Sequence, residues 1–210
     1  MSLVRVHNFA ISLDGFGTGE GQSAVAHFGH AGDRLHEWMF ATRWWDPGGS
    51  SGIDDAFVRR HDQGIGAEIM GAGKFGHPGW HEDPDWKGAW GANPPFHTPV
   101  FVLTHHTRPS IEMEGGTTFH FIDAPPAEAL AAARKAAAGK DVRLGGGATM
   151  IAEFLSARLV DHMHVVMVPI LLGRGVRLWD GLEGVEKDYK VETVSSPSGV
   201  THLTFMRRKP

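Results

Sequence analysis

The chain of 210 residues contains no cysteine, which excludes disulfide bonds, thiolate metal sites and a cysteine nucleophile. It has no apolar run long enough to span a bilayer, and its first residues lack the pattern of a signal peptide. Basic residues do not predominate, since the net charge is -4, and a nucleic acid partner is not expected. These absences predict a cytoplasmic protein that has neither a membrane nor a nucleic acid as a partner.

Glycine and tryptophan are abundant, with 28 and 7 residues beside a single tyrosine. The glycines and the 12 prolines concentrate between recognisable elements, which indicates ordered functional loops. The apolar share of 41% and the charged share of 21% are typical of a globular protein. The length suits one substantial core, so a single domain over residues 1–210 is predicted.

Strand and helix patterns alternate through most of the chain. Strands are predicted over residues 4–12, 67–70, 99–104, 118–122, 141–144, 162–172, 190–194 and 200–206. Helices are predicted over residues 34–42 with Asp33 as N-cap, from Asp54 as N-cap to about Gly64, and over 124–138 and 148–159. This alternation predicts an α/β layer fold with a largely parallel sheet, and the last strands predict an antiparallel edge.

A glycine triplet, Gly145, Gly146 and Gly147, lies between a predicted strand and a predicted helix. Small residues allow the backbone to approach a phosphate closely, and the helix directs its unpaired N–H groups and positive dipole end to the same place. The pattern therefore indicates an anionic ligand. A tight turn without a ligand is the alternative interpretation of the same residues.

Small or hydrogen-bonding residues follow the predicted strands at residues 12–15, 71–74, 104–107 and 145–149. Ligands of open α/β sheets bind outside the carboxyl ends of the strands. Lys74 offers an ammonium group beside open glycine backbone, and Thr104 and His105 offer a hydroxyl and an imidazole. Phosphate-compatible groups at several strand ends predict a nucleotide with separated phosphates.

The 14 histidines raise the alternative of a metal site. His162 and His164 share one face of a predicted strand, but no H-E-x-x-H or comparable ligand spacing accompanies them. No metal is therefore predicted. A serine hydrolase is not indicated either, because the chain has no G-x-S-x-G sequence.

Five short motifs occur in order along nearly the whole chain. They are Ser-Leu-Asp-Gly at 12–15, Ile-Met-Gly-Ala-Gly-Lys-Phe at 69–75, Val-Phe-Val-Leu-Thr-His at 100–105, Leu-Gly-Gly-Gly at 144–147, and Leu-Val-Asp at 159–161 with Val-Pro-Ile-Leu-Leu-Gly-Arg-Gly at 168–175. Together they resemble the dihydrofolate reductase fold, and more closely the RibD C-terminal family, the reductase domain of bifunctional riboflavin-biosynthesis proteins.

The resemblance implies a three-layer fold whose central, mixed and mostly parallel sheet is flanked by helices. It also implies a homodimer and a reductase that transfers hydride to a pteridine, a pyrimidinone or a similar small heterocycle. NADPH is the implied hydride donor, and NADH stays open because Ala72 stands where many dihydrofolate reductases have a basic residue. A nucleotide-binding or flavin-binding protein without reductase turnover is the alternative.

The same resemblance implies a set of cofactor-binding residues. Ala10 would present its backbone to the nicotinamide carboxamide. Gly71, Ala72 and Lys74 would face the phosphates. Thr104 and His105 would face the adenosine 2′-phosphate end. The pyrophosphate would be bound by Gly145, Gly146, Gly147, Ala148 and Thr149.

The implied substrate-binding residues are Asp33, Glu37 and Trp38 on the first helix. Dihydrofolate reductases hold the pterin with a carboxylate there, but the match of Trp38 places Leu35 at that position. Asp33 is alternatively an N-cap and Glu37 a solvated residue. No catalytic residue is assigned, so the proton would come from solvent. The tryptophans of the predicted loops would form either a substrate wall or a subunit contact.

Overall fold

A computed structural model describes residues 2–208. The contacts of the chain divide it into two compact units. The first unit comprises residues 2–5 and Gly64–Val160, and the second comprises Val6–Gln63 and residues 161–208. Within residues 2–208, no helix is both long and apolar enough to cross a bilayer. The single domain inferred from the length of the chain stays a prediction.

The elements follow the predicted alternation of strands and helices. The strands are β1 (Val4–Ser12), β2 (Phe16–Thr18), β3 (Ile65–Gly71), β4 (Pro99–Leu103), β5 (Ile111–Glu112), β6 (Thr118–Ile122), β7 (Asp141–Gly146), β8 (His162–Val168), β9 (Val176–Arg177), β10 (Tyr189–Ser195) and β11 (Thr201–Arg207). The α-helices are α1 (Glu37–Phe40), α2 (Ile53–Val58), α3 (Ala72–Phe75), α4 (Pro126–Ala136) and α5 (Ala148–Ser156). Short 3-10 helices cover Gly29–Leu35, Trp80–Glu82, Glu114–Gly116 and Val185–Asp188.

The first unit contains a sheet with the strand order β7-β3-β4-β6-β5. Strand β3 is parallel to β7 and β4, and β4 is parallel to β6, whereas β5 is antiparallel to β6. Strand β3 is apolar apart from Glu68, and its Ala67, Ile69 and Met70 are fully buried, as a parallel strand covered on both faces requires. This arrangement places the carboxyl ends of β3, β4 and β7 side by side.

An aromatic core packs in the first unit around Phe75, which is fully buried. The rings of Trp80, Phe119 and Phe121 meet Phe75 edge to face at centroid distances of 4.9, 5.2 and 5.0 Å. The indole N–H of Trp86 donates to the carbonyl of Phe75 over 3.3 Å. Tryptophans of the long predicted loop therefore pack against their own unit.

The second unit contains β1 from Val6 onward, and β8, β11 and β10 follow it in the sheet in that order. Strands β8, β11 and β10 pair in antiparallel fashion, and β2 pairs with β9. Together with the parallel pairs of the first unit, these strands confirm the predicted α/β fold with a mixed sheet and an antiparallel C-terminal edge. The buried core of the second unit includes Ala10, Leu35, Trp38, Val166 and Val168.

Two predicted helix starts are wrong. The helix expected over residues 34–42 is replaced by the end of the 3-10 helix Gly29–Leu35 and the short α1, because the backbone of His36 between them departs from helical values at φ -121° and ψ -4°. Asp33 consequently lies inside the 3-10 helix and caps nothing. Helix α2 is preceded by Gly52 as its N-cap, and Asp54 lies in its first turn, where the carboxylate binds a histidine instead of the backbone.

Candidate functional site

The carboxyl ends of three neighbouring strands meet in the first unit. In the register of the sheet, Gly71 of β3 pairs with Leu103 of β4, and Met70 pairs with Gly146 of β7. The glycine triplet at residues 145–147, here called the glycine turn, thus lies beside Gly71, and Thr104 follows directly after Leu103. The structure therefore brings together three of the four segments that the sequence singles out.

The glycine turn leads directly into helix α5. Gly146 and Gly147 have φ values of 141° and 93°, which side chains with a Cβ rarely adopt. Gly147 is the N-cap residue, no side chain caps the helix, and the first turn contains no acidic residue. The first backbone N–H groups of α5 have no partner within the helix, so an anion placed there would receive hydrogen bonds and the positive end of the helix dipole.

A charged triad of Glu68, Lys74 and Arg143 supports the glycine turn. Glu68 on β3 is only 1% exposed, and its Oε1 accepts a hydrogen bond from Lys74 Nζ over 3.1 Å. Its Oε2 accepts from Arg143 Nε over 2.7 Å and also from the terminal guanidinium nitrogen. Lys74 Nζ donates a second bond, over 2.6 Å, to the carbonyl oxygen of Gly145. One carboxylate thus faces two cations, which leaves the triad with an excess of positive charge.

Burial and charge oppose each other in this triad. Burial acts to raise the pKa of Glu68, but the charges of Arg143 and Lys74 outweigh it and hold that pKa below its usual value. Burial also lowers the pKa of Lys74, and the carboxylate of Glu68 counteracts that shift. Glu68 therefore remains a carboxylate, and it helps Lys74 to remain an ammonium ion.

Thr104 and His105 make local contacts at the end of β4. Thr104 is 8% exposed and its hydroxyl accepts a hydrogen bond from the backbone N–H of His106 over 3.0 Å. The imidazole of His105 is exposed and lies 2.9 Å from the carboxylate of Asp123. Of these two residues, His105 alone presents its side chain to solvent, where a ligand can reach it.

Four further predicted site residues belong to the second unit. Ala10 is a buried residue of β1, and Trp38 is 5% exposed in the same core. Asp33 and Glu37 are exposed. The indole N–H of Trp38 donates to the carbonyl of Leu35 over 3.1 Å, so the side chain has a structural partner. The proposed substrate roles of Asp33, Glu37 and Trp38 stay predictions.

Replacing Trp38 by Phe is expected to lower the free energy of unfolding by about 2 kcal/mol or more, because the buried carbonyl of Leu35 loses its donor and the smaller ring leaves a cavity in the core. Urea unfolding followed by circular dichroism measures the change. Trp45 is 54% exposed, and its replacement by Phe serves as the control, with an expected change within about 0.5 kcal/mol. An equal loss in both variants would show that the Trp38 hydrogen bond is not the cause.

A second buried polar cluster, the histidine cluster, lies in the second unit and comprises Asn8, Asp54, His164 and His202. His202 Nε2 lies 2.8 Å from the carboxylate of Asp54, His202 Nδ1 lies 3.0 Å from His164 Nε2, and His164 Nδ1 accepts from the backbone N–H of Asn8 over 3.2 Å. The ring of Phe57 stacks on both imidazoles at 4.4 and 4.2 Å. With both imidazoles neutral, each ring donates one hydrogen bond and accepts one.

Burial, reinforced by the neighbouring histidines, lowers the pKa of His164 to about 3. The pKa of His202 is also lowered by burial, although its bond to Asp54 opposes the shift. Both histidines are therefore neutral near pH 7. Within residues 2–208, no group of three or more potential ligands is arranged to hold a metal ion.

Sequence reasoning did not select Glu68 or Arg143, and it named His164 only in the metal alternative and Asp54 only as a helix N-cap. Glu68 had a visible signal, since it is a single charge inside the apolar run of β3. Its partner Arg143 is separated from it by 75 positions in the sequence. The pairing depends on the adjacency of β3 and β7, which the local pattern does not contain.

Three solved structures have similar folds. The first is a candidate riboflavin biosynthesis protein from Shewanella sp. PV-4, at 21% identity and a TM-score of 0.64 over 100% of both chains. The second is a pyrimidine reductase-like protein from Corynebacterium diphtheriae. It has 14% sequence identity and a TM-score of 0.54, and the match covers 100% of this chain and 93% of that one. The third is a dihydrofolate reductase from Enterococcus faecalis complexed with NADP(H). It has 15% sequence identity and a TM-score of 0.51, and the match covers 99% of this chain and 97% of that one.

These likenesses define an α/β protein with the dihydrofolate reductase-like fold. The family profile of the RibD C-terminal domain matches residues 5–203, which is nearly the whole chain. The protein therefore belongs to the RibD C-terminal domain family, as the motifs of the sequence predict. Among curated proteins, no sequence matches the chain significantly.

Proposed function

We propose that the protein is an NADPH-dependent reductase that transfers hydride to a small heterocycle of the pteridine or pyrimidinone type. Membership of the RibD C-terminal domain family supports a reductase. The names of two solved structures of the same fold, a pyrimidine reductase-like protein and a dihydrofolate reductase complexed with NADP(H), support the same class of reaction.

The observation that carries the proposal is the glycine turn with the charged triad beneath it. The residues fit a dinucleotide phosphate, because the uncapped N-terminus of α5 offers N–H donors next to an excess positive charge. A Cβ added at Gly147 would meet no neighbour closer than 3.8 Å, so the backbone there is open to a ligand. Gly146, Gly147, Ala148 and Thr149 would hold the pyrophosphate in this arrangement.

Bound NADPH would supply the hydride to an electron-poor C=N or C=O group. The chain would bind the nucleotide and the substrate, orient them towards each other and exclude water. Holding the two reacting groups in contact accelerates hydride transfer. Gly71 and Ala72 would line the phosphates, and His105 would lie at the 2′-phosphate end. A solvent proton would complete the reduction.

The experiment that tests the proposal combines binding with turnover. Isothermal titration with NADPH and NADH measures affinity, and loss of the absorbance of the reduced nicotinamide measures oxidation in the presence of pteridines and pyrimidinones. Saturable NADPH binding together with substrate-dependent oxidation is the expected result. If neither reduced nicotinamide binds, the proposal is wrong.

Replacing Lys74 by Ala is expected to raise the dissociation constant for NADPH about tenfold or more, because the site loses a cation next to the phosphates. Titration of the purified variant measures the change. Lys87 is an exposed lysine of the same unit, and Lys87→Ala is the control that should bind as the wild type does. An unchanged affinity in Lys74→Ala would show that the phosphates are placed wrongly.

A nucleotide-binding or flavin-binding protein without turnover is the second candidate function. The exposed aromatic pair Trp44 and Trp45, whose ring centroids are 5.8 Å apart, favours it because such rings can stack on a flat ligand. Tight binding of a flavin or NADPH without oxidation of any substrate would favour this function. A homodimer remains part of the proposal, and size-exclusion chromatography with light scattering tests it.

A further inference from the structure

Glu68 is a buried carboxylate that is linked through Lys74 to the glycine turn. Both of its carboxylate oxygens are occupied, Oε1 by Lys74 and Oε2 by Arg143. Lys74 in turn reaches the carbonyl oxygen of Gly145 over 2.6 Å. The carboxylate of β3, the ammonium of α3 and the backbone of the glycine turn thus form one continuous chain of hydrogen bonds.

The glycine turn also packs directly on this carboxylate. A Cβ added at Gly145 would lie 1.7 Å from Glu68 Oε1 and 2.8 Å from Lys74 Nζ, and Gly145 has no positive φ that would require glycine. A side chain at position 145 would therefore have to displace Glu68 and Lys74 from their present positions. The side chains of Glu68 and Lys74 thus pack closely against the backbone of Gly145.

We infer that Glu68 is a positioning residue for the proposed dinucleotide site, which acts by holding Lys74 against the carbonyl oxygen of Gly145. The inference rests on the proposed function for its ligand. Through Lys74, Glu68 fixes the carbonyl of Gly145 and so sets the orientation of the glycine turn. The turn in turn sets where the first N–H groups of α5 point. Without the carboxylate, the ammonium group loses one of its two protein acceptors and is no longer confined below the turn.

A purely electrostatic role and a positioning role of Glu68 predict opposite changes in NADPH affinity for the variant Glu68→Gln. The amide has nearly the same size but removes a negative charge, so attraction alone would strengthen the binding of an anionic nucleotide. A positioning role predicts the reverse. The expected result is a dissociation constant for NADPH about tenfold higher than in the wild type. An unchanged or lower value, with the variant folded, would overturn the inference.

A control and a double variant show whether Glu68 acts through Lys74. Glu112 is exposed on β5 of the same unit, and Glu112→Gln, the same chemical change, should leave binding unaltered. The double variant Glu68→Gln with Lys74→Met should bind no more weakly than Lys74→Met alone, since residues that act as a unit give non-additive effects. Fully additive losses would overturn the inference.

Lys74→Arg serves where Glu68→Gln does not fold. It retains a cation as a partner for Glu68, but a planar guanidinium cannot replace the compact ammonium between the carboxylate and the carbonyl oxygen. Weaker NADPH binding at unchanged net charge is expected. Wild-type affinity in Lys74→Arg would overturn the inference.

Hydrogen exchange in the ligand-free protein separates this inference from the proposed function. In Glu68→Gln, the amide of Ile151, which donates to the carbonyl of Gly147 in the turn, and the next amides of α5 to residue 153 are expected to exchange severalfold faster than in the wild type, with those of α4 unchanged as an internal reference. If the wild type binds no dinucleotide, the proposed function fails, yet this measurement still decides whether Glu68 holds the turn. Equal exchange rates at the turn would overturn the inference.

Discussion

The free energy of unfolding is expected to fall by about 2 kcal/mol or more when the pH is lowered from 7 to 5. The cause is the histidine cluster of the second unit, in which burial lowers the pKa of His164 to about 3 and also lowers that of His202. In the unfolded chain both imidazoles return to ordinary pKa values near 6.5. Below that pH the unfolded state therefore binds more protons than the folded state.

The sign of the effect follows from this difference in bound protons. The stabilisation is fully present above pH 6.5, and it is lost as the pH falls towards the folded pKa of about 3. His164 contributes a slope of up to about 1.4 kcal/mol per pH unit within that range, and the lowered pKa of His202 adds a contribution of the same sign. The groups that face the two rings are Asp54 and His162, together with the backbone and amide of Asn8.

Urea unfolding at a series of pH values between 7 and 5 measures this loss. His164→Asn removes one titrating ring while keeping an acceptor for the backbone of Asn8, and its profile should be flatter by about 2 kcal/mol over the range. His27 is exposed, so His27→Asn should retain the wild-type profile. An unaltered slope in His164→Asn would show that the buried pair is not the source of the pH dependence.

Replacing Gly146 by Val is expected to weaken the binding of NADPH at least about 100-fold. The φ of 141° at Gly146 is accessible to glycine, and a Cβ there would lie 3.1 Å from Cδ of Lys74. The valine would therefore change both the backbone of the turn and the position of the lysine beneath it. The strain would also lower the free energy of unfolding by about 1–3 kcal/mol.

Gly139 provides a matched control for the strain. It also has a positive φ, of 88°, but a Cβ there would meet nothing within 4 Å, and the residue follows α4 away from the glycine turn. Gly139→Val should lose similar stability while it retains NADPH binding. Circular dichroism and calorimetric titration of both variants make the comparison. Retained affinity in Gly146→Val would count against a phosphate site at the glycine turn.

Local sequence patterns were sufficient for the elements whose character depends on near neighbours. The alternating residues of β1 and the β-branched and aromatic residues of β6 predicted both strands with the ends that the structure shows, Val4–Ser12 and Thr118–Ile122. Helix α4 was predicted slightly too long, but its prolines and alanines indicated its type and place. Propensity and turn chemistry act over a few residues, so a sequence contains them directly.

The glycine turn shows how far the same reasoning extends towards the site. The succession of apolar strand, three glycines and apolar helix predicted a glycine-rich turn between β7 and α5, and the positive φ values of Gly146 and Gly147 explain two of the three glycines. The motifs of the chain also predicted the RibD C-terminal family. The partners of Lys74 were not predictable in this way, since the ammonium binds Glu68 and Gly145 below the turn.

The amino-acid sequence alone determined the succession of strands and helices, the glycine-rich strand end and the family of this protein. The tertiary structure alone decided which polar groups pair in the interior. Glu68 and Arg143 are 75 positions apart, and His202 and Asp54 are 148 apart. A buried charge or imidazole must find a partner wherever folding places one, because desolvation without a hydrogen bond is costly. That partner is chosen by which strands and helices folding brings together, and no local pattern contains this information.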